Sequence, residues 1–172
     1  MELIQDAETK PLSDKELVQM LGPDADRCRV MLYDDLANYS SLHELLPNPD
    51  DAAIILLQIE APNAPKVGHW IALLNHGDHF EHFDSYGLDP DEELHITHEK
   101  PYITDIINNT RWRVESTQVK LQLKREAVNT CGRWCVVRVR FPHLQRREFV
   151  QFIQQVHTIP DVAVTLLTYL LL

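Results

Sequence analysis

Apolar residues recur along the chain at helical or strand spacing, and the two rhythms divide it into elements. Residues 12–21 carry one helical stripe, Leu17, Met20 and Leu21. Ser13 is its N-cap, and Glu16, three residues on, completes a capping box. Gly22-Pro23 ends this helix. Residues 30–33 read as a short strand or turn. Residues 34–46, with Leu36, Leu42, Leu45 and Leu46, read as a second helix or helical turn. The unbroken apolar run inside 51–58 has the pattern of a strand buried on both faces.

After a loop at 61–66, two strands at 68–74 and 79–84 are joined by a hairpin turn, Asn75-His76-Gly77-Asp78. That hairpin sets His69 near the start of one strand and Asp84 near the end of its partner, so the two can lie side by side. A turn at 85–90, an acidic loop at 91–100 and a short helix at 102–109 follow. Alternation predicts strands at 111–114 and 118–123, with Val119, Leu121 and Leu123 facing the core and Gln122 turned away. The run 134–139 is rich in β-branched residues, yet its place after a Cys-Gly junction predicts a buried helix that Pro142 ends. Phe149, Phe152, Ile153 and Val156 mark an amphipathic helix at 146–156. The apolar stretch 162–172 is too short to span a bilayer and reads as a buried strand or helix. The expected class is α+β, a central mixed β-sheet flanked by helices.

With 172 residues, 44% of them hydrophobic, the chain is long enough for one domain over 1–172 with a sizeable core. Three cysteines without paired spacing argue against a disulfide framework and for a reducing compartment. Cys28 and Cys135 read as buried bystanders, and Cys131 and Cys135 lack the second pair that a zinc site would need. His76, His79, His82, His95 and His98 come without the cysteine or carboxylate set of a metal site, so no metal and no cofactor is expected. The first six residues have no basic-then-apolar leader, and no membrane partner is expected. Charge is divided: residues 1–110 hold 6 Lys/Arg against 22 Asp/Glu, and residues 111–172 hold 10 against 4. That division fits two halves that attract each other, and it leaves open a basic surface for nucleic acid or an acidic partner.

Candidate chemistry centres on Asn129-Thr130-Cys131-Gly132-Arg133-Trp134. A thiol at a helix N-terminus is biased toward thiolate, and Gly132 would let a substrate backbone pass close to the sulfur. His69 can share the thiol proton, and Asp84 can fix the tautomer and orientation of that imidazole. Each residue alone also fits a structural role: Cys131 as a small hydrophobe, His69 as a core histidine beside Trp70, Asp84 as a turn cap.

As a set, Gly68-His69-Trp70, Phe83-Asp84-Ser85-Tyr86-Gly87, a following glutamine and Thr130-Cys131-Gly132 resemble the adenain-like cysteine proteases. These include the adenovirus maturation protease, proteases of large DNA viruses and virophages, and the SUMO-specific proteases. The resemblance spans residues 68–134; the first fifty or so carry no matching motif. It implies an adenain-like fold and a catalytic set of His69, Asp84, Cys131 and an oxyanion glutamine, with Trp70 lining the substrate cleft. The glutamine falls on Gln122, with Gln118 the alternative, although both stand farther from the cysteine than in the family. The implied activity is a thiol endopeptidase that cleaves beside small residues such as glycine in virion precursors, inside a virion or a host cell. A deubiquitinating or deSUMOylating protease and a non-catalytic binding module of the same fold are the alternatives. The resemblance also implies a possible peptide or DNA activator.

Overall fold

Five strands form one mixed sheet in the order β1 (Cys28–Leu32), β2 (Ala52–Ile59), β3 (Val67–Asn75), β4 (Phe80–Phe83) and β5 (Val114–Ser116). The structure is a computed structural model that describes residues 2–59, 67–92, 100–123 and 128–170. β1 runs parallel to β2, β2 to β4 are antiparallel, and β5 returns parallel to β4. The helices are α1 (Glu2–Thr9), α2 (Asp14–Leu21), α3 (Leu42–Leu45), α4 (Tyr102–Asn108), α5 (Cys131–Arg140), α6 (Arg146–Val156) and α7 (Pro160–Leu170). The class is α+β, as the sequence predicts.

Strand alternation feeds two cores, one on each face of the sheet. Ala52 and Ile54 of β2 join Trp70, Ala72 and Leu74 of β3 against α2, α5, α6 and α7. Ala53, Ile55 and Leu57 join Ile71 and Leu73 against α3, α4 and a 3-10 turn at Tyr33–Asn38. Both faces of β2 are therefore covered, which explains its unbroken apolar run. α5 lies in the first layer against β3, α2 and α7, and Cys131 to Val139 are all buried. Burial on every side outweighs the modest helix propensity of its valines.

Two arginines ride inside that helix. Arg138 pairs with Glu81 of β4 through two bonds of 3.0 and 2.8 Å. Arg133 donates to Thr168 Oγ1 in α7 at 2.7 Å and to the Ala7 carbonyl in α1 at 3.4 Å. The Glu81–Arg138 pair and the longer Asp24–Arg140 contact at 3.6 Å join the acidic and basic parts of the chain.

Three sequence expectations change. The helix or helical turn read at 34–46 becomes two separate turns, the 3-10 turn and one-turn α3, because Ser40 and Glu44 bond to each other locally. The strands at 111–114 and 118–123 reduce to the three residues of β5. There the Thr117 side chain turns back to His82 and Asp84, and Gln118 takes a left-handed φ of +49° that ends the pairing. Gly132 does not leave space for substrate. A Cβ there would meet Leu17 and Trp70 at 3.2 Å, so the glycine lets α5 close onto its neighbours. The stretch 162–172 proves helical up to Leu170, the capping box of α2 is present, and α1 is an element the sequence reading did not predict. The loop at 61–66 and most of the acidic loop lie outside the described residues.

Candidate active site

Cys131 is the first residue of α5, so the positive end of the helix dipole faces its sulfur. Its backbone is fixed from both sides. Asn129 donates from its backbone N–H to the Glu8 carbonyl and from Nδ2 to the Thr9 carbonyl, each at 2.7 Å, which ties the loop to α1. Behind it, Trp134 N–H bonds the Thr130 carbonyl at 3.0 Å and starts the helix.

His69 and Asp84 come from the β3–β4 hairpin. Asn75 Oδ1 accepts from Gly77 N–H at 2.8 Å inside the turn, and the ladder then holds Ala72 opposite Phe83. Beyond that rung the strands part, and Asp84 reaches back to His69, with Oδ1 and Nε2 3.2 Å apart. The same oxygen accepts the Tyr86 N–H at 2.6 Å, and the Asp84 N–H bonds Thr117 Oγ1 at 3.0 Å. Asp84 is fully buried and His69 is 5% exposed, so solvent screens the pair little. Burial works against the imidazolium, but hydrogen bonds to Asp84 and to Cys131 outweigh it and raise the His69 pKa to about 10. The hairpin thus brings His69 to Asp84, and the start of α5 brings Cys131 to His69.

Gln122 is buried, the reverse of the orientation predicted from alternation, while Val119 is exposed. The strand expected there is absent, and the N–H groups of Leu121 and Gln122 both bond the Ser85 carbonyl, at 2.9 and 2.8 Å. Its side chain accepts from Ser85 Oγ at 2.8 Å and donates from Nε2 to Tyr86 Oη at 3.3 Å and to the Val128 carbonyl at 3.5 Å. Gln122 therefore sits between the Asp84 motif and the loop that leads to Cys131. Gln118 is exposed and lines a different cleft of about 1110 Å³, which neither Cys131 nor His69 borders.

Trp70 and Cys131 line a groove of about 530 Å³. Its apolar part comes from Leu12, Val30, Leu32 and Leu56, and Asp14 and Asp35 bring its only formal charges among the described residues. Trp70 is held by an Nε1–H bond to the Leu12 carbonyl at 3.3 Å. The other two thiols are buried: burial pushes Cys28 up to about 12 and Cys135 well above the ordinary thiol range. Among the described residues no group of three or more His, Cys, Asp or Glu could hold a metal ion, and His95 and His98 lie outside them. Also among the described residues, no helix is long and apolar enough to cross a membrane.

Three supporting residues have no role in the sequence reading. Tyr86 stacks on His69, Thr117 backs Asp84, and Asp161 of α7 accepts from Thr130 Oγ1. Tyr86 belongs to a motif already singled out. Thr117 and Asp161 give no local signal beyond an acidic residue in the first turn of a helix.

Comparison with known proteins agrees with this architecture. The fold is shared with a protease of known structure. Two crystal structures of ASFV pS273R protease, one of them Se-Met, superpose with a TM-score of 0.53 at 13% and 12% identity. The match covers 96% of this chain and 69% or 68% of theirs. In sequence the chain is 28% identical over 171 residues to the uncharacterized protein V9 of Sputnik virophage, covering 91% of this chain and 93% of that one. No protein-family model matches.

Proposed function

We propose that the chain is a cysteine endopeptidase with Cys131 as nucleophile, His69 as general acid–base and Asp84 as the carboxylate that orients it. The observation that carries this reading is the position of His69, hydrogen-bonded to both Asp84 and Cys131 at the N-terminus of α5. The shared fold with ASFV pS273R protease supports it.

In this mechanism His69 accepts the thiol proton, and the sulfur adds to the scissile carbonyl carbon. The resulting oxyanion is held by the Cys131 N–H and by Gln122 Nε2, whose 3.5 Å contact to the Val128 carbonyl is its longest and the one to be exchanged. The imidazolium then gives its proton to the leaving amine, and a thioester remains. His69 next deprotonates a water, which attacks the thioester and releases the acid and the thiol. The groove past Trp70 holds the acyl side of the substrate, and the resemblance to the adenain-like proteases favours small residues beside the scissile bond.

The virophage relative favours virion precursors as substrates and a virion or host-cell interior as the setting. Incubation with a capsid precursor and with a ubiquitin-like Gly-Gly conjugate separates this from the deubiquitinating or deSUMOylating alternative. Among the described residues no feature speaks for a DNA or peptide activator.

The testing experiment is intact-mass labelling with iodoacetamide at about pH 6, where free thiols, with pKa near ~8.5, react slowly. One rapid adduct on Cys131, lost in Cys131→Ala and slowed in His69→Ala, is the expected result. Slow labelling that is indifferent to His69 overturns the reading.

A further inference from the structure

The carboxylate of Asp161 lies at the start of α7, is 2% exposed, and gathers three donors from two separate stretches of chain. Oδ1 accepts from Thr130 Oγ1 at 2.5 Å and from Trp134 Nε1 at 3.0 Å; Oδ2 accepts from Leu123 N–H at 2.9 Å. Thr130 immediately precedes Cys131, Trp134 lies one turn after it, and Leu123 immediately follows Gln122. One carboxylate thus clamps the two ends of the loop that joins the nucleophile to the candidate oxyanion glutamine.

A buried carboxylate is a costly way to fasten a helix, and an apolar contact would serve a purely structural purpose better. What a carboxylate adds is short, directional bonds to several donors at once. An oxyanion site needs that, since its donors must hold their positions to within about 0.5 Å. We propose that Asp161 is a positioning residue that keeps the Cys131 N–H and the Gln122 side chain in one register for the oxyanion. The inference rests on the peptidase reading and adds to it a residue outside the catalytic set.

Asparagine at this position tests the idea with little change of shape. Its single acceptor oxygen can serve Thr130 and Trp134 or Leu123, but not both sides, because the amide NH₂ turns a donor toward whichever donor remains.

Two probes separate the functions of the site. Iodoacetamide is attacked at carbon by the thiolate and expels iodide, so its rate reads the Cys131–His69 pair without any oxyanion. 4-Nitrophenyl acetate is attacked at its carbonyl, passes through a tetrahedral oxyanion and expels nitrophenolate to leave an acetyl thioester, so its rate reads the oxyanion donors too. Losing one such donor costs about 10²–10³ in rate, and misplacing it costs a fraction of that.

In Asp161→Asn, acetylation of Cys131 is expected to slow by about tenfold or more while alkylation stays within about twofold of wild type. Thr130→Val is expected to follow in the same direction and Thr130→Ser to match wild type, and this pair carries the comparison if Asp161→Asn fails to fold. Equal slowing of both reactions, or slowing of neither, overturns the proposal. Wild-type alkylation that ignores His69 removes the peptidase reading itself, on a separate arm of the same experiment.

Discussion

Tyr86 lies almost face to face with His69, with ring centroids 4.8 Å apart and planes 22° from parallel. The turn that follows β4 places it there. Beyond the last rung, Ala72 opposite Phe83, Gly87 N–H bonds the Asp84 carbonyl at 3.0 Å and Asp84 Oδ1 accepts the Tyr86 N–H at 2.6 Å. The tyrosine also accepts from Gln122 Nε2, so it touches two of the candidate catalytic side chains at once. Aromatic stacking contributes about 0.5–1.5 kcal/mol beyond area burial. Tyr86→Phe keeps the stack and loses the acceptor for Gln122. Tyr86→Ala loses both, and its Cys131 acylation rate is expected to fall about threefold to tenfold below that of Tyr86→Phe.

Asp84 is the largest influence that raises the His69 pKa against burial. In Asp84→Asn the imidazolium loses that support, and alkylation of Cys131 at pH 6 is expected to fall by about 10²-fold, read from the rate–pH profile. The same coupling bears on stability. His69 has its folded pKa raised from an ordinary value of ~6.5 to about 10, so its contribution is full below ~6.5 and is lost as pH rises through about 10. The gap in urea midpoint between wild type and Asp84→Asn is therefore expected to be widest near pH 6 and to shrink above pH 10.

Glu81 has the opposite sign. Burial raises its pKa, yet hydrogen bonds from His76 and Arg138 overcome this and hold it at about 2, below the ordinary 4.5. Its contribution is full above 4.5 and is lost as pH falls through about 2. Glu81→Gln leaves Arg138 buried without its counter-charge and is expected to cost about 3–5 kcal/mol at pH 7. Chemical denaturation at pH 7 and pH 3 should show that cost diminishing in acid.

Gly132→Ala ought to favour a helix by about 1 kcal/mol on propensity alone. The space beside it is filled by Leu12, Leu17 and Trp70, so the added methyl must push one of them aside. Overpacking of a filled core costs about 1–3 kcal/mol, and the net expectation is a loss of stability near 1 kcal/mol in a urea titration. A gain in stability would show that Trp70 yields freely.

His69, Asp84 and Cys131 were legible because each is placed by a local rule: a hairpin with a readable turn, and a Cys-Gly pair opening an apolar run. The sheet was legible as far as β4 for the same reason. Residues 117–123 were not, since alternation suggests a strand whereas one side chain, Thr117, and one left-handed residue, Gln118, turn the backbone away. That is why Gln122 could be named while its orientation came out reversed. Asp161 was hidden in another way. Its donors lie 31, 27 and 38 residues away in sequence, and no periodicity carries information over such spans.

The clamp on Thr130 also orders events in time. A ribosome makes the hairpin and the nucleophile stretch first, and the carboxylate that aligns them comes 31 residues after Thr130. At about 5–20 residues per second, translation leaves an interval on the order of seconds in which a nascent chain holds thiol, imidazole and Asp84 without Asp161. On the peptidase reading, the stretch between Gln122 and Cys131 is fastened only once the start of α7 has been made.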